Sequence, residues 1–396
     1  MTCQKVLLAI AAIVASAING CHANDGSTGD YSPGDYLDSS DGSSHGDGSS
    51  HGDHAPGDLA PGDPFGDSDA PTQNDPCAPA IERRQLLPAN GTLGLPDGIE
   101  SVVAMDASPS GALWVLGAKQ QSRVLLVYTV ASAWQELFID ADPEPSFKVV
   151  LVAHDDNHVF WNQGPIVREW RNAQAGEHFV GQSSELLGLH VVSPEELWAV
   201  GYEGALLRKR SGEVTAFDLK DAFAPTETFE HIHWWEIVST DGALAVVGAG
   251  FESYGLTEAV GIMGVFRADT WTAKTFDTSP GFALPMGATP TCTSSLAVGG
   301  DFALIGLLTL EGQFTHLYGG TLGQDFLIAD IVETCGGTTY VIVDQAGVDS
   351  DVRVVDPELS EIISATSVGA NVRSSTCYEG ILYFGLRESG VIQRQN

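Results

Sequence analysis

The chain has 396 residues, with 18 Lys and Arg against 52 Asp and Glu, for a formal net charge of −34. A balance that acidic argues against nucleic acid and anionic lipid head groups as partners, because both are held by clustered cations.

Residues 1–20 carry Lys5 and then the thirteen-residue apolar run Val6 to Ile18. A bilayer needs about 20 apolar residues, so this run is too short to span one and fits a signal-peptide core. It leads into "INGC", with Ile18 three before Cys21 and Gly20 one before it. The arrangement resembles the lipobox of bacterial lipoproteins. That resemblance implies lipidation of Cys21 as the mature N-terminus, and so a membrane partner through an N-terminal lipid anchor. His22 follows where an aspartate would favour inner-membrane retention, which implies the outer membrane.

Residues 21–80 are Gly, Asp, Ser and Pro in tandem "GSSHGD" and "APGD" units. Between His22 and Asp75 there are twelve Asp and no Lys or Arg. So few apolar side chains cannot offset chain entropy, and the segment reads as a disordered stalk with a reach of about 40 Å. Its Asp residues with His45, His51 and His54 give diffuse cation binding at most, since a hard-cation site needs a turn that aims oxygens at one point. Lys5 contributes +1 and the stalk −12, which leaves −23 for residues 77–396.

From residue 81 a short pattern recurs. Its copies are "GALWVLG" (111–117), "HVFWNQG" (158–164), "EELWAVG" (195–201), "GALAVVG" (242–248), "SSLAVGG" (294–300), "GTTYVIV" (337–343) and "EGILYFG" (379–385). Their last residues are 47, 37, 47, 52, 43 and 42 positions apart, scattered around the roughly 40–50 residues of a four-stranded propeller blade. Helical periodicity is absent. In the first copy the strands read 99–107, 112–117, 123–130 and 134–140, from innermost to outermost. The expectation is an all-β chain, a single seven-bladed β-propeller over residues 81–396, with six blades as the alternative. The seventh copy ends at "GVIQRQN" (390–396) without a fourth strand, and "IERRQLLP" (81–88) is the expected outer strand that closes the ring.

The tandem is similar to the bacterial WAVG propellers related to the photosystem II assembly-factor and sialidase-type (BNR-like) repeat families. The resemblance implies a propeller and carries over no catalytic residue. Asp-boxes survive only as remnants in "FRADTWTAKTF" (266–276) and "KRSGEVTAF" (209–217).

Cys77, Cys292, Cys335 and Cys377 remain beyond Cys3 and Cys21, an even number in an exported chain, which points to disulfides. The last three lie eight residues before their copies' final residues, in equivalent turns of blades five to seven. Of the three connectivities, Cys77–Cys377 with Cys292–Cys335 is favoured, the first stapling the closure for roughly 3–5 kcal/mol. No CxxC pair supports zinc, and no metal or other cofactor is expected.

"FEHIHWWEIVS" (229–239) is the richest cluster. Strict alternation puts His231, His233 and Trp235 on one side of an inner strand, as a candidate ligand site, although both sides of such a strand pack against neighbouring blades. "HDDNH" (154–158) and "DQAGVDSD" (344–351) read as solvated turns. Without G-x-S-x-G, a Walker loop or H-E-x-x-H, the expected function is non-catalytic binding or scaffolding towards protein or glycan partners, by a monomer. The alternative is a glycan-cleaving hydrolase or lyase with a loop-built site. An apolar-filled channel mouth favours the scaffold, and convergent carboxyls favour the enzyme.

Overall fold

The computed structural model describes residue 77, residues 86–87 and residues 91–394 apart from 142, 144–145, 181–183, 225–226, 241, 253–258, 279–282, 303, 319–326, 346–348, 359 and 388–390. Cys21, the signal segment and nearly all of the proposed stalk lie outside the described residues.

Among the described residues twenty-eight strands form seven four-stranded antiparallel sheets. Blade 1 comprises Ser101–Ala107, Leu113–Lys119, Ser122–Thr129 and Ala133–Asp140 from the axis outwards. Blade 2 is Leu151–Asp155, His158–Gln163, Ile166–Arg171 and Gln174–Val180. Blade 3 is Leu186–Ser193, Glu196–Gly201, Leu206–Arg210 and Glu213–Ala216. Blade 4 is His231–Thr240, Ala243–Phe251, Ala259–Arg267 and Thr270–Phe276. Blade 5 runs through Pro285–Pro290, Ser295–Gly300, Ile305–Thr309 and Phe314–Tyr318. Blade 6 is Leu327–Cys335, Thr338–Gln345, Asp351–Asp356 and Glu361–Ser367. Blade 7 takes Val372–Tyr378, Ile381–Leu386 and Val391–Arg394 from the C-terminal end and Thr92–Gly94 from the N-terminal side.

Every repeat copy is thus the second strand of a blade, and there are seven blades rather than six. The physical reason for the repeat is two-sided burial. Every residue of His158–Gln163, Ala243–Phe251, Ser295–Gly300 and Ile381–Leu386 is buried, so these strands pack on both faces and are mostly apolar, with His158, Asn162, Gln163 and Ser295 as buried polar exceptions. Outer strands are wetter, and Glu213–Ala216 is exposed throughout. Seven apolar clusters fill the seven inter-blade interfaces, including one that joins blade 7 to blade 1 and closes the ring.

The closing strand differs from expectation. Thr92–Gly94, not residues 81–88, pairs with the third strand of blade 7 in the register Thr92↔Gln393, Leu93↔Ile392 and Gly94↔Val391. Leu86 and Leu87 are buried in the cluster between blades 7 and 1 instead, with Tyr378, Tyr383 and Ile392. Two adjacent leucines that both need burial fit an interface better than an outer strand with one wet face.

The disulfides also differ. Cys335 joins Cys377 and Cys77 joins Cys292, with Cα atoms 5.4 and 5.5 Å apart. Cys335 and Cys377 sit beside the hairpin turns of adjacent blades 6 and 7. Gly336 and Gly380 bring those turns into contact, since a Cβ on Gly336 would stand 3.1 Å from the Gly380 Cα. The carbonyl of Cys77 lies 3.9 Å from where a Gly337 Cβ would be, so Cys77 stands beside the hairpin turn of blade 6 while its sulfur is bonded to Cys292 of blade 5.

The two faces of the ring are unequal. Hairpin turns of two to five residues cover one face, and connectors of up to fourteen residues (217–230) cover the other. We call them the hairpin face and the loop face.

Near the loop face the inner strands of blades 1, 3, 4, 5 and 7 carry a one-residue register shift, at Val103, Leu187, Trp235, Met286 and Arg373. These bulges explain the glycine that ends several copies. A Cβ on Gly201, Gly248 or Gly300 would lie 2.1 Å from the carbonyl oxygen of Glu185, His233 or Leu284, each two residues before a bulge. Gly248→Ala is therefore expected to lower stability by about 1–3 kcal/mol in urea unfolding, as overpacking does. Gly176→Ala, with nothing within 4 Å of the added carbon, should be neutral or slightly stabilising.

Candidate functional site

His231, His233 and Trp235 begin the inner strand of blade 4. The imidazoles engage the turn Tyr202–Gly204 of blade 3. His231 Nδ1 lies 3.2 Å from Glu203 Oε2, and His233 Nδ1 accepts the Glu203 N–H at 3.1 Å. The Tyr202 ring meets His233 edge-on at 4.9 Å. Burial keeps His233 neutral by lowering its pKa, against the pull of Glu203. The two histidines brace a turn whose Glu203 stands at φ 53°.

Trp235 parts from them because it is the bulge residue, and a bulge re-aims the side chain it carries. Its indole is only 4% exposed and packs with Leu187 and Met286, flanked by Tyr202, Leu284 and Ile328. Phe147, from the connector before blade 2, covers it edge-on at 5.6 Å. Residues of blades 3, 4, 5 and 6 meet there, which places the cluster on the ring axis. Beside it, Lys148 Nζ reaches across to Glu236 Oε2 at 2.7 Å, the Met286 carbonyl at 3.2 Å and the Trp235 carbonyl at 3.4 Å. Apolar packing and one half-buried ion pair fill the loop-face end of the central bore.

Further along the bore stand three groups with no counterpart among the sequence candidates. Asp106, His190 and Glu333 lie on inner strands of blades 1, 3 and 6, opposite Trp114, Trp198 and Tyr340. Asp106 accepts hydrogen bonds from the Ala107 and Ala153 N–H groups at 2.8 and 2.9 Å and from the Thr376 hydroxyl at 2.7 Å, so it ties blades 7, 1 and 2 together. Burial still raises its pKa. Among the described residues Glu333 accepts a single long bond, from Ser375 at 3.4 Å. Burial, then the like charges of Asp106 and Glu236, push it up to about 8. Burial alone takes His190 down to about 4. A carboxylate inside an apolar inner strand, as in "VAMDA" and "DIVETC", was the available signal, but pattern alone does not show which edge lines a bore.

Glu333 makes stability pH-dependent in a defined direction. Its folded pKa lies above the ordinary 4.5, so between about 4.5 and 8 the folded chain holds a proton that the unfolded chain has released. Stability contributed in this way is lost as pH rises through that window. Glu333→Gln should flatten the decline in the urea midpoint between about pH 5 and pH 8. An unchanged slope would remove Glu333 as its cause.

The "HDDNH" turn also does more than meet solvent. On the hairpin face it walls an open cleft of about 460 Å³ shared with Ser110, Arg171 and Asn172. Asp156 accepts the hydroxyls of Ser108 and Ser110. His158, stacked on His154 at 5.9 Å, lies 2.8 Å from Glu169 Oε1, while Glu169 Oε2 lies 2.7 Å from His178 Nδ1. Burial lowers the pKa of both histidines. Burial raises that of Glu169, but the two imidazoles outweigh it and hold the carboxyl below its ordinary value. Among the described residues no group of three or more His, Cys, Asp or Glu is placed to hold a metal ion.

No protein-family model matches the chain, and no curated protein does. Solved structures do resemble it. Virginiamycin B lyase from Staphylococcus aureus superposes with a TM-score of 0.57 at 14% identity, covering 76% of this chain and 97% of the other. The extracellular domain of BT4673 from B. thetaiotaomicron gives 0.55 at 11%, over 77% and 40%. The RRP9 WD40 repeats give 0.55 at 12%, over 78% and 99%. At such identities the likeness is one of fold, and the chain is a seven-bladed β-propeller whose sequence resemblance to known propellers holds at that level.

Proposed function

We propose that the protein is an exported propeller lipoprotein, anchored through Cys21 to the outer membrane by a flexible stalk, whose work is binding a protein or glycan partner rather than catalysis. The observation that carries this reading is the filled end of the bore. Leu187, Trp235 and Met286 pack together there and Lys148 is committed to Glu236 and two carbonyls, which leaves the centre of the loop face as a surface rather than a funnel. Long connectors surround that surface, and connectors are where recognition usually resides. Two disulfides support maturation in an oxidising compartment. Among the described residues no helix is long and apolar enough to cross a membrane.

The test is a glycan array and a pull-down with the full chain carrying Cys21→Ser. Phe147, 43% exposed at the centre of the loop face, should weaken capture when replaced by Ala. Val130, 71% exposed on the hairpin face, should not matter. Capture that ignores both substitutions would reject the loop face. In fractionation, Cys21→Ser should move the protein from the membrane to the soluble fraction, and an unchanged membrane fraction would sink the anchor.

A catalytic reading has one observation in its favour. Glu333 is protonated near neutral pH and has the pKa of a general acid, so a glycan-cleaving hydrolase or lyase is the second reading. Cleavage of an array glycan that is lost in Glu333→Gln, with the fold intact, would establish it.

A further inference from the structure

The ring is closed by a very small element. Thr92–Gly94 contributes three paired residues to blade 7, and the Trp134 indole of blade 1 donates to the Gly94 carbonyl at 2.7 Å. Upstream, Leu86 and Leu87 are buried between blades 7 and 1, and the Leu86 N–H donates to the Tyr383 hydroxyl at 3.4 Å. A pull on the chain before this segment would load these contacts one after another from their N-terminal end. Each backbone hydrogen bond contributes only about 0.5–1.5 kcal/mol net, so the seam of the ring is the part least suited to tension.

Cys77 precedes all of it. It is bonded to Cys292, in the turn between the inner and second strands of blade 5. Blade 5 is built wholly from residues 285–318 and contains no part of the seam. The chain from Cys77 to Leu86 can span roughly 30 Å when extended, far enough to pass from blade 5 to the seam.

We propose that the Cys77–Cys292 disulfide is the mechanical joint of the N-terminal tether: it passes tension on residues before 77 into blade 5 and keeps it off the closing strand. The second disulfide does a different job, since Cys335–Cys377 binds blade 6 to blade 7 beside the seam. The purpose assigned to the joint rests on the stalk being a tether, but the load path itself does not. It can therefore be tested without a membrane.

The experiment is single-molecule stretching of the full chain with Cys21→Ser, held by one handle at its N-terminus and one at Glu213, an exposed residue of the outer strand of blade 3, so that the pull does not enter through the seam. In one version a protease site is inserted between residues 79 and 80, and the protein is stretched before and after cleavage. The cut severs the backbone route from Cys77 to the closing strand and leaves the disulfide route. The expected result is the same first rupture force before and after cleavage. An early low-force extension before cleavage that disappears after it would show that the backbone route had been loading the closing strand, and would overturn the proposal. The Cys77→Ser/Cys292→Ser double variant should add an early low-force extension as the segment up to residue 94 peels away, and Cys335→Ser/Cys377→Ser should not. The cleavage experiment needs no cysteine change, so it decides the matter even if the double variant fails to fold. Loss of anchoring by Cys21→Ser is a separate readout, and its failure would leave these force measurements unaffected.

Discussion

Lys148→Met is expected to destabilise the propeller by about 3–5 kcal/mol, the range for breaking a buried ion pair by removing one partner. Lys148 and Glu236 have side chains only 18% and 17% exposed. Without the ammonium, the Glu236 carboxylate is left beside the carbonyls of Trp235 and Met286, which Lys148 now satisfies. It also faces Glu333, whose carboxyl already feels its charge. The penalty belongs to the orphaned charge rather than to lost attraction, so Lys148→Met/Glu236→Met should recover most of it. Urea unfolding of the three proteins checks this. A single variant within about 1 kcal/mol of wild type would mean that the pair behaves as an exposed one.

The second large effect is expected at Trp198, in the most regular repeat copy. Trp198→Ala should cost about 3–5 kcal/mol, as aromatic-to-alanine changes in cores do. The indole is 1% exposed and lies between blades 3 and 4. Its neighbours Phe217, Phe266 and Trp271 have ring centroids 5.4, 5.3 and 5.9 Å away. Arg208 caps it at 5.1 Å while its guanidinium meets Glu196 at 2.7 Å. The same measurement on Arg208→Ala should give a smaller loss, because a cation over a ring contributes about 0.5–2 kcal/mol. A Trp198→Ala protein that unfolds like wild type would mean the interface had refilled.

These two sites show what could be read in advance. "ELWAVG" is legible because two-sided burial leaves an apolar signature in consecutive residues, and Trp198 is one of them. The basic run Arg208–Arg210 is legible as charge divided between two faces. In the structure Arg208 and Arg210 share Glu196, while Lys209 donates to the His178 carbonyl at 2.6 Å. Lys148 is different. It stands in an irregular connector, and its partner is 88 residues away across the axis. Nothing local distinguishes it from a solvated lysine.

The histidine and tryptophan run in blade 4 divides in the same way. Alternation correctly joined His231 with His233 but failed at Trp235, because a bulge inserts one residue and reverses the facing of everything beyond it. The bulge sits where the inner strand crosses Gly248 of the second strand, which is a property of the assembled blade.

What the residues determine alone is the repeating unit: the second strands, their spacing, and the glycines that admit a neighbouring carbonyl. These follow from burial and sterics within one blade, at short range along the chain. Only the tertiary structure decided how the ring is closed and stapled. The strand Thr92–Gly94 pairs with residues some 300 positions later, and the cysteines in three equivalent turns have equally plausible partners until the blades are set in order. Closure is a contest among long-range contacts with similar local signatures. It was settled by which surfaces meet, through the leucines at 86 and 87 and the bare glycine turns of blades 6 and 7, rather than by any pattern in the chain.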